Sequence, residues 1–249
     1  MRTVSVKSAA RILDVLEMLS GLQAGIGLNE LARSLDIPKS IASALIATLE
    51  GRGYVRSAPD GVALIDAFRE GGWVGGEAAS LLRHARLAMQ RLSRLTGESC
   101  FLGTPTRSFD VQYVEKVVSE SALRYDADLS LIRPAYCTSI GLVLLAGLGA
   151  TQLDRYFQGR ELVRLTSRTV TDEAAIRKAV AKARRNGYST ISDSHVLGTS
   201  GVSAPVLQQG KVVAGLAVIA PSERFAQQAS LNIEATVTAA RELSQSLDR

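Results

Sequence analysis

The 249-residue sequence has few of the residues that build metal sites and disulfide frameworks, and it has no long apolar run. Its two cysteines and two histidines form no closely spaced set, so neither a structural zinc site nor a disulfide-stapled fold is expected. Residues 140–150, the longest apolar run, are too short and too glycine-rich to cross a bilayer, and the N-terminus lacks a signal-peptide core. We expect a cytoplasmic protein with no metal, no cofactor and no membrane partner.

Length and composition predict a folded protein with two domains, each large enough to bury its own core. Hydrophobic residues make up 46% and charged residues 21%, the balance of a globular protein. The net charge is +5, yet residues 1–75 contain equal numbers of acidic and basic residues, so the excess lies in residues 76–249. Charge alone therefore gives weak support for DNA binding by the N-terminal part.

Residues 1–71 predict three short helices and a hairpin. Apolar residues recur at helical spacing in residues 9–19, 28–35 and 41–49, and glycines follow the first and third segments. Two short β-like runs, 54–56 and 62–64, flank a turn of sequence APDG. This order is typical of a winged helix-turn-helix, which places one helix in the major groove of DNA.

Residues 72–97 predict a linker helix, and residues 98–249 a mixed α+β domain with helices on a largely antiparallel sheet. A glycine-rich segment, 71–76, precedes the long helix, which we expect to run from Glu77 to Leu95. Beyond it, β-like runs are expected at 99–103, 111–118, 122–125, 188–191, 201–207 and 211–219. Helices are expected at 139–147, from Leu153, after a Thr171 cap, and at 231–247.

Three stretches, taken in order, resemble a known family. The first includes LNELA, IPKS and TLEGRGYV between residues 28 and 55, the second RP, TSIG and LLA between 133 and 146, and the third NGY, SAPV and APSER between 186 and 224. Over nearly the whole chain, the sequence is similar to the isocitrate lyase regulator (IclR) family of bacterial transcription factors. The resemblance implies a winged helix-turn-helix joined to a GAF-like effector-binding domain, and dimers or pairs of dimers on palindromic operator DNA.

The expected recognition helix departs from the family pattern. Ser40 is kept, but Ile41 replaces a threonine, and Ala44 stands where an arginine is common. An arginine that makes two hydrogen bonds to guanine supplies about 1–3 kcal/mol of base discrimination, which alanine cannot replace. We therefore expect specificity from polar contacts, from methyl contacts with thymine, and from DNA shape read by the wing. The candidate DNA contacts are Lys39, Ser40, Ala42, Ser43, Ala44, Thr48 and Arg56.

The expected effector pocket departs further. In family members that bind small oxo-acids, the resemblance places the carboxylate at the N-terminus of the helix that begins at Ser139. The family's acidic, cysteine and two serine positions fall here on Ile191, Gly201, Ala217 and Ile219, which favours a larger aromatic or apolar acid. The candidate effector contacts are Tyr136, Cys137, Ser139, Ile140, Ile191, Asp193, His195, Gly201, Val202, Ala217 and Ile219.

Other interpretations stay open. One is a sensor that has lost sequence-specific DNA binding because Ile41 and Ala44 only pack in the core. A second and less favoured one is a thiol enzyme that uses Cys137 or Cys100 with His195 or His84, although no third orienting group accompanies either thiol. The polar segment 192–199 is also typical of a plain surface loop.

Overall fold

The computed structural model describes residues 7–20, 22, 25–52, 54–58, 60–64 and 76–248, without the side chains of residues 76–80 and 83. The chain divides into two compact units, Met1–Leu81 and Leu82–Arg249. This division falls within the segment predicted as the linker helix. Most of the glycine-rich segment predicted as the first domain boundary, residues 71–75, lies outside the described residues.

The N-terminal unit has the predicted three helices and hairpin, and the winged helix-turn-helix prediction is confirmed. Its elements are α1 (Lys7–Ser20), α2 (Leu28–Ser34), α3 (Lys39–Gly51), β1 (Val55–Ala58) and β2 (Gly61–Leu64). The strands pair antiparallel, and Ile26 forms a bridge with Val62. One face of each helix contributes to a common core that includes Leu16, Leu31, Ile46 and Leu64. The core holds α3 by one face only, which leaves its other face exposed.

A long helix, α4 (Gly76–Thr96), leads into the C-terminal unit and ends at Gly97, whose φ is +72°. Ala85, Met89 and Leu92 of this helix are buried, whereas Leu95 is 61% exposed. Neither α4 nor any other helix in the described part of the chain is long and apolar enough to cross a membrane.

The C-terminal unit contains one six-stranded sheet in which every pairing is antiparallel. The strands are β3 (Ser99–Pro105), β4 (Val111–Val117), β5 (Ile132–Arg133), β6 (Ser189–Ser192), β7 (Thr199–Gln208) and β8 (Lys211–Pro221), in the order β5-β4-β3-β8-β7-β6. The predicted strand at 122–125 is wrong. Residues 122–124 are exposed, and the two-residue β5 pairs with β4 at this edge instead.

Five helices accompany the sheet: α5 (Ser139–Ala146), α6 (Ala150–Phe157), α7 (Glu173–Asn186), α8 (Ser222–Gln227) and α9 (Ala229–Leu247). A single 3₁₀ turn, Ala135–Cys137, precedes α5. Asp172 rather than Thr171 caps α7, since its side chain accepts a 2.7 Å hydrogen bond from the amide of Ala175. Helix α5 packs on β7 and β8 and is buried from Ser139 to Leu145. The predicted α+β class is confirmed.

Candidate DNA-contacting face and effector cavity

Helix α3 presents a continuous exposed face. Ser40, Ser43, Ala44 and Thr48 are all exposed, and their spacing of three or four residues places them on one side of the helix. Ala42, Ile46 and Leu49 have the complementary spacing and are buried. The exposed face is therefore flat and its side chains are short, because most of them are alanine and serine.

Ala42 does not belong to this face. It is 0% exposed and lies in the core cluster of the N-terminal unit. Its predicted contact with a thymine methyl is wrong, because its own methyl group points inward. Ala44, by contrast, is exposed, so it does not serve as a core residue, while Ile41 is half-buried.

The polar groups near this face differ in what they can offer to DNA. The hydroxyl of Thr48 donates to the carbonyl of Ala44 at 2.8 Å, so its oxygen is left as an acceptor. Lys39 is exposed in the first turn of α3, where no acidic residue competes with an anion. Arg56 is exposed on β1, and Ser57 on the same strand donates to the Glu50 carboxylate at 3.0 Å.

The C-terminal unit contains a small cavity of about 30 Å³ at the N-terminus of α5. Its wall combines two tyrosines with hydroxyl-bearing, apolar and imidazole side chains. The lining residues are Tyr113, Tyr125, Cys137, Thr138, Ser139, Ile191, Ser194, His195, Thr199, Ser200, Gly201 and Ile219. A space of this size holds about one water molecule, so the cavity is closed to a larger guest until its wall moves.

Gly201 gives the cavity its space. Ile191, Gly201 and Ile219 are register partners across β6, β7 and β8, so their side chains share one face of the sheet. A Cβ on Gly201 would lie 3.4 Å from the Ser139 Oγ and 3.2 Å from the Ile219 Cγ1. A longer side chain would therefore crowd the region between α5 and the sheet, where the cavity lies.

Five of the predicted effector contacts do not line the cavity: Tyr136, Ile140, Asp193, Val202 and Ala217. The Tyr136 hydroxyl donates to the carbonyl of Val163 at 2.6 Å. Ile140 packs on the sheet, since a Cβ on Gly103 would meet its Cγ2 at 2.9 Å. Tyr136 therefore holds the turn before α5 against Val163, and Ile140 holds α5 against the sheet.

The other three are displaced by strand and turn geometry. Val202 follows Gly201 on β7 and so points to the opposite face of the sheet. Ala217 pairs with Phe101 and Ser203, lies two residues along β8 from the lining residue Ile219, and is fully buried. Asp193 has a φ of 55°, and its carboxylate accepts from the amide of Gly198 at 2.7 Å. It therefore shapes the loop that carries His195.

Six wall residues were not predicted: Tyr113, Tyr125, Thr138, Ser194, Thr199 and Ser200. Thr138 could have been found as the cap residue before α5, because its side chain accepts from the Gly141 amide. Tyr113 lies on β4, which is separated from β7 by the two strands β3 and β8, and Tyr125 lies in an irregular segment. No local pattern connects these tyrosines with residues 191–219, since only the sheet order brings them together.

The wall offers hydrogen-bond donors at two places, of which the first, at the N-terminus of α5, favours an anion. The Thr138 side chain accepts a hydrogen bond from the amide of Gly141, and its carbonyl accepts one from the amide of Leu142. The first-turn amides of Ser139 and Ile140 are left to donate to a bound anion. Burial, and then the positive charge of Arg133, lower the pKa of His195 below its usual value. The imidazole is therefore neutral at pH 7, and it can donate one hydrogen bond and accept another.

The two thiols lack the features of activated nucleophiles. Cys137 and His195 line the same cavity, but burial and the charge of Asp110 raise the pKa of the Cys137 thiol to about 12. Burial, and then Glu98, also raise the pKa of the Cys100 thiol. A nucleophilic cysteine needs the opposite shift. Among the described residues, no group of three His, Cys, Asp or Glu side chains forms a potential metal site.

Comparison with known proteins matches each of the two units to a family model. Residues 8–59 match the family model of the IclR helix-turn-helix domain, and residues 77–249 match that of the bacterial transcriptional regulator IclR C-terminal domain. The chain is 30% identical over 244 residues to the transcriptional regulator KdgR of Escherichia coli K12, which covers 96% of this chain and 92% of the relative.

Solved structures give the same assignment. The C-terminal domain of Escherichia coli KdgR matches with a TM-score of 0.59 and 28% identity, covering 68% of this chain and 99% of that domain. An IclR homologue from Microbacterium hydrocarbonoxydans, solved with 4-hydroxybenzoate, matches with a TM-score of 0.61 and 25% identity over 97% of both chains. KdgR is named as a transcriptional regulator, and the Microbacterium protein is named as an IclR homologue. The chain belongs to the IclR family and is a ligand-responsive, DNA-binding transcriptional regulator.

Proposed function

We propose that the effector of this regulator is a small aromatic acid that binds in the cavity at the N-terminus of α5. The observation that carries the proposal is the composition of the wall, in which the rings of Tyr113 and Tyr125 face a sheet row made of Ile191, Gly201 and Ile219. Aromatic and apolar side chains with a few placed polar groups are typical of sites for such ligands. The 4-hydroxybenzoate complex of the Microbacterium homologue supports the same ligand class.

The acid group has donors available to it. The amides of Ser139 and Ile140 lie at the positive end of the α5 dipole, where a carboxylate is stabilised. The neutral imidazole of His195 can bond to a second polar group, such as a ring hydroxyl. A small, highly hydrated oxo-acid would leave the apolar part of the wall unfilled, so we expect it to bind more weakly.

Binding of an aromatic ring requires the cavity to open, because its free space of about 30 Å³ is far below the size of a drug-like site. The part of the wall without regular secondary structure is the backbone that carries Tyr125 and His195, and we expect the opening there. The His195 loop is fastened by Thr166 and Thr169, whose hydroxyls donate at 2.6 Å to the carbonyls of Asp193 and Ser194. Ligand binding and rearrangement of this loop are therefore expected to be coupled.

For DNA, we propose that the exposed face of α3 reads a palindromic operator in its major groove, in a dimer or a pair of dimers. Lys39, Ser40, Ser43, Ala44 and Thr48 supply the contacts from α3, and Arg56 supplies one from the wing. One helix covers only a few base pairs, so a second copy on a two-fold axis is the usual source of sufficient affinity.

Isothermal titration of the full-length protein with 4-hydroxybenzoate, benzoate, pyruvate and glyoxylate tests the effector class. We expect the two aromatic acids to bind at least about 10-fold more tightly than the two oxo-acids. Tight binding of the oxo-acids alone would overturn the proposal. Repeating the titration with operator DNA present checks coupling, since ligand and operator must change each other's affinity by the same factor.

Gel shifts with the intergenic DNA next to the protein's own gene, over a salt series, test the DNA part. A regulator that reads sequence is expected to hold this DNA against an excess of random competitor at moderate salt. A shift that random DNA abolishes equally well at every salt concentration would contradict operator reading by α3.

A further inference from the structure

Arg133 is a buried cation without a carboxylate partner. The residue is 4% exposed, and its guanidinium donates to two backbone carbonyls, those of Leu131 and Asp128, at 2.7 Å each. The Nε is buried and has no hydrogen-bond partner among the described residues. The carboxylate of Asp128 is engaged elsewhere, because it accepts from the amide and the hydroxyl of Ser130. Among the described residues, the guanidinium therefore makes no ion pair, and the charge of Asp128 acts on it only through space.

Arg160 shows the usual arrangement in the same unit. Its guanidinium lies 4.0 Å from the ring centroid of Tyr156, and it bonds both carboxylate oxygens of Asp110 at 2.9 Å. Arg133 has the corresponding ring contact, 4.1 Å from the centroid of Tyr113, without the acid. An isolated buried charge is costly to desolvate, and proteins ordinarily pair it. Arg133 therefore has a charge that is left for another partner.

The position of Arg133 indicates where that partner binds. The Tyr113 ring on which it stacks lines the effector cavity, and so does His195, whose pKa the charge of Arg133 helps to lower. Arg133 does not itself line the cavity, but it stacks on a ring that does.

We propose that Arg133 is the counter-ion of the effector, so that the carboxylate of an aromatic acid binds its Nε when the cavity opens. This inference rests on the proposed function, and it adds that the site selects the anion over a neutral molecule of the same shape. The amides at the start of α5 contribute a partial charge, whereas Arg133 supplies a full one. The charge-assisted hydrogen bond to Arg133 is therefore expected to dominate the discrimination.

The test compares an acid with its amide. Kd is measured by isothermal titration for 4-hydroxybenzoate and for 4-hydroxybenzamide, with the wild type, Arg133→Gln, Arg133→Lys and Arg160→Gln. In the wild type, we expect the acid to bind about 10- to 100-fold more tightly than the amide. Arg133→Gln should bring the two values within about threefold of each other, and Arg133→Lys should keep part of the preference.

Arg160→Gln is the matched control. It removes a guanidinium that also stacks on a tyrosine ring but is already paired with the Asp110 carboxylate. It should therefore lower the thermal midpoint, while the preference for the acid over the amide persists. If Arg133→Gln does not fold, as shown by circular dichroism, the Arg133→Lys titration and the wild-type ratio decide instead. Arg133→Lys should then bind the acid more weakly than the wild type does, with amide binding unchanged.

The outcomes separate this inference from the proposed function. If the wild type prefers the acid and Arg133→Gln keeps that preference, the role of Arg133 is refuted and the aromatic effector stands. If the wild type binds acid and amide equally, the counter-ion role fails while the apolar cavity is supported. If it binds neither compound but binds pyruvate or glyoxylate, both proposals fail.

Discussion

The exposed face of α3 and the cavity of the C-terminal unit are both proposed binding surfaces, yet they are built in opposite ways. The α3 face comes from one helix, and its residues lie within ten positions of each other. The cavity wall is assembled from residues between Tyr113 and Ile219, on strands, on irregular segments and at the N-terminus of α5. A surface on one helix follows from periodicity, whereas an enclosed wall depends on every element that meets there.

The largest effect is expected from an arginine placed on the inner face of α3. Ala42→Arg should unfold the N-terminal unit, because a buried unpaired charge costs several kcal/mol, while Ala44→Arg should fold normally. Ala44→Arg should also shift the preferred operator toward guanine by about 1–3 kcal/mol. Thermal melts and selection of bound sequences measure the two effects. Equal stability of the two variants would show that the faces of α3 are assigned wrongly.

The next effect concerns the cavity. Gly201→Leu should weaken binding of 4-hydroxybenzoate at least about 100-fold, because the new side chain enters the space between α5 and the sheet. Overpacking should also lower the stability by about 1–3 kcal/mol. Operator binding in a gel shift should persist but should no longer respond to ligand. Val202→Ile adds a methyl group on the opposite face of β7 and is expected to leave the Kd unchanged; an equal loss there would argue against this cavity.

A smaller effect is expected from Lys39. Lys39→Gln should weaken binding to all DNA sequences alike and reduce the slope of log K against log salt by about one, because a phosphate contact carries no sequence information. The measurement is a salt series of titrations with operator and random DNA. Lys178, exposed on α7 in the other unit, gives the control variant Lys178→Gln, for which no change in slope is expected.

The smallest effect concerns His195 and pH. The pKa of His195 is lowered in the folded protein, so below the usual histidine value of about 6.5 the unfolded chain binds a proton that the folded chain does not. Stability should therefore fall as the pH decreases from 7 toward 5, and His195→Gln should reduce this fall. Melting curves at several pH values measure it. An identical pH dependence in both proteins would show that burial of His195 is not coupled to stability.

The two surfaces also differ in how far the sequence predicted them. On α3, the predicted contacts Ser40, Ser43 and Thr48 lie at exposed positions. Ala42 is buried, and the sequence did not indicate this because alanine suits either side of a helix. At the cavity, family resemblance predicted the positions of Ser139, Ile191, Gly201 and Ile219. It did not predict Tyr113 or Tyr125, because pairing of β3 with β8 places β4 near β7 without any local signal.

The sequence by itself determined most of the elements and their order, because helix and strand periods are local properties of the chain, and its motifs determined the family. Only the tertiary structure decided which side chains meet at the N-terminus of α5 and which arginine is buried without an acid. Cavities and unpaired charges arise where segments far apart in the chain come together. Their chemistry depends on distances that no local pattern encodes.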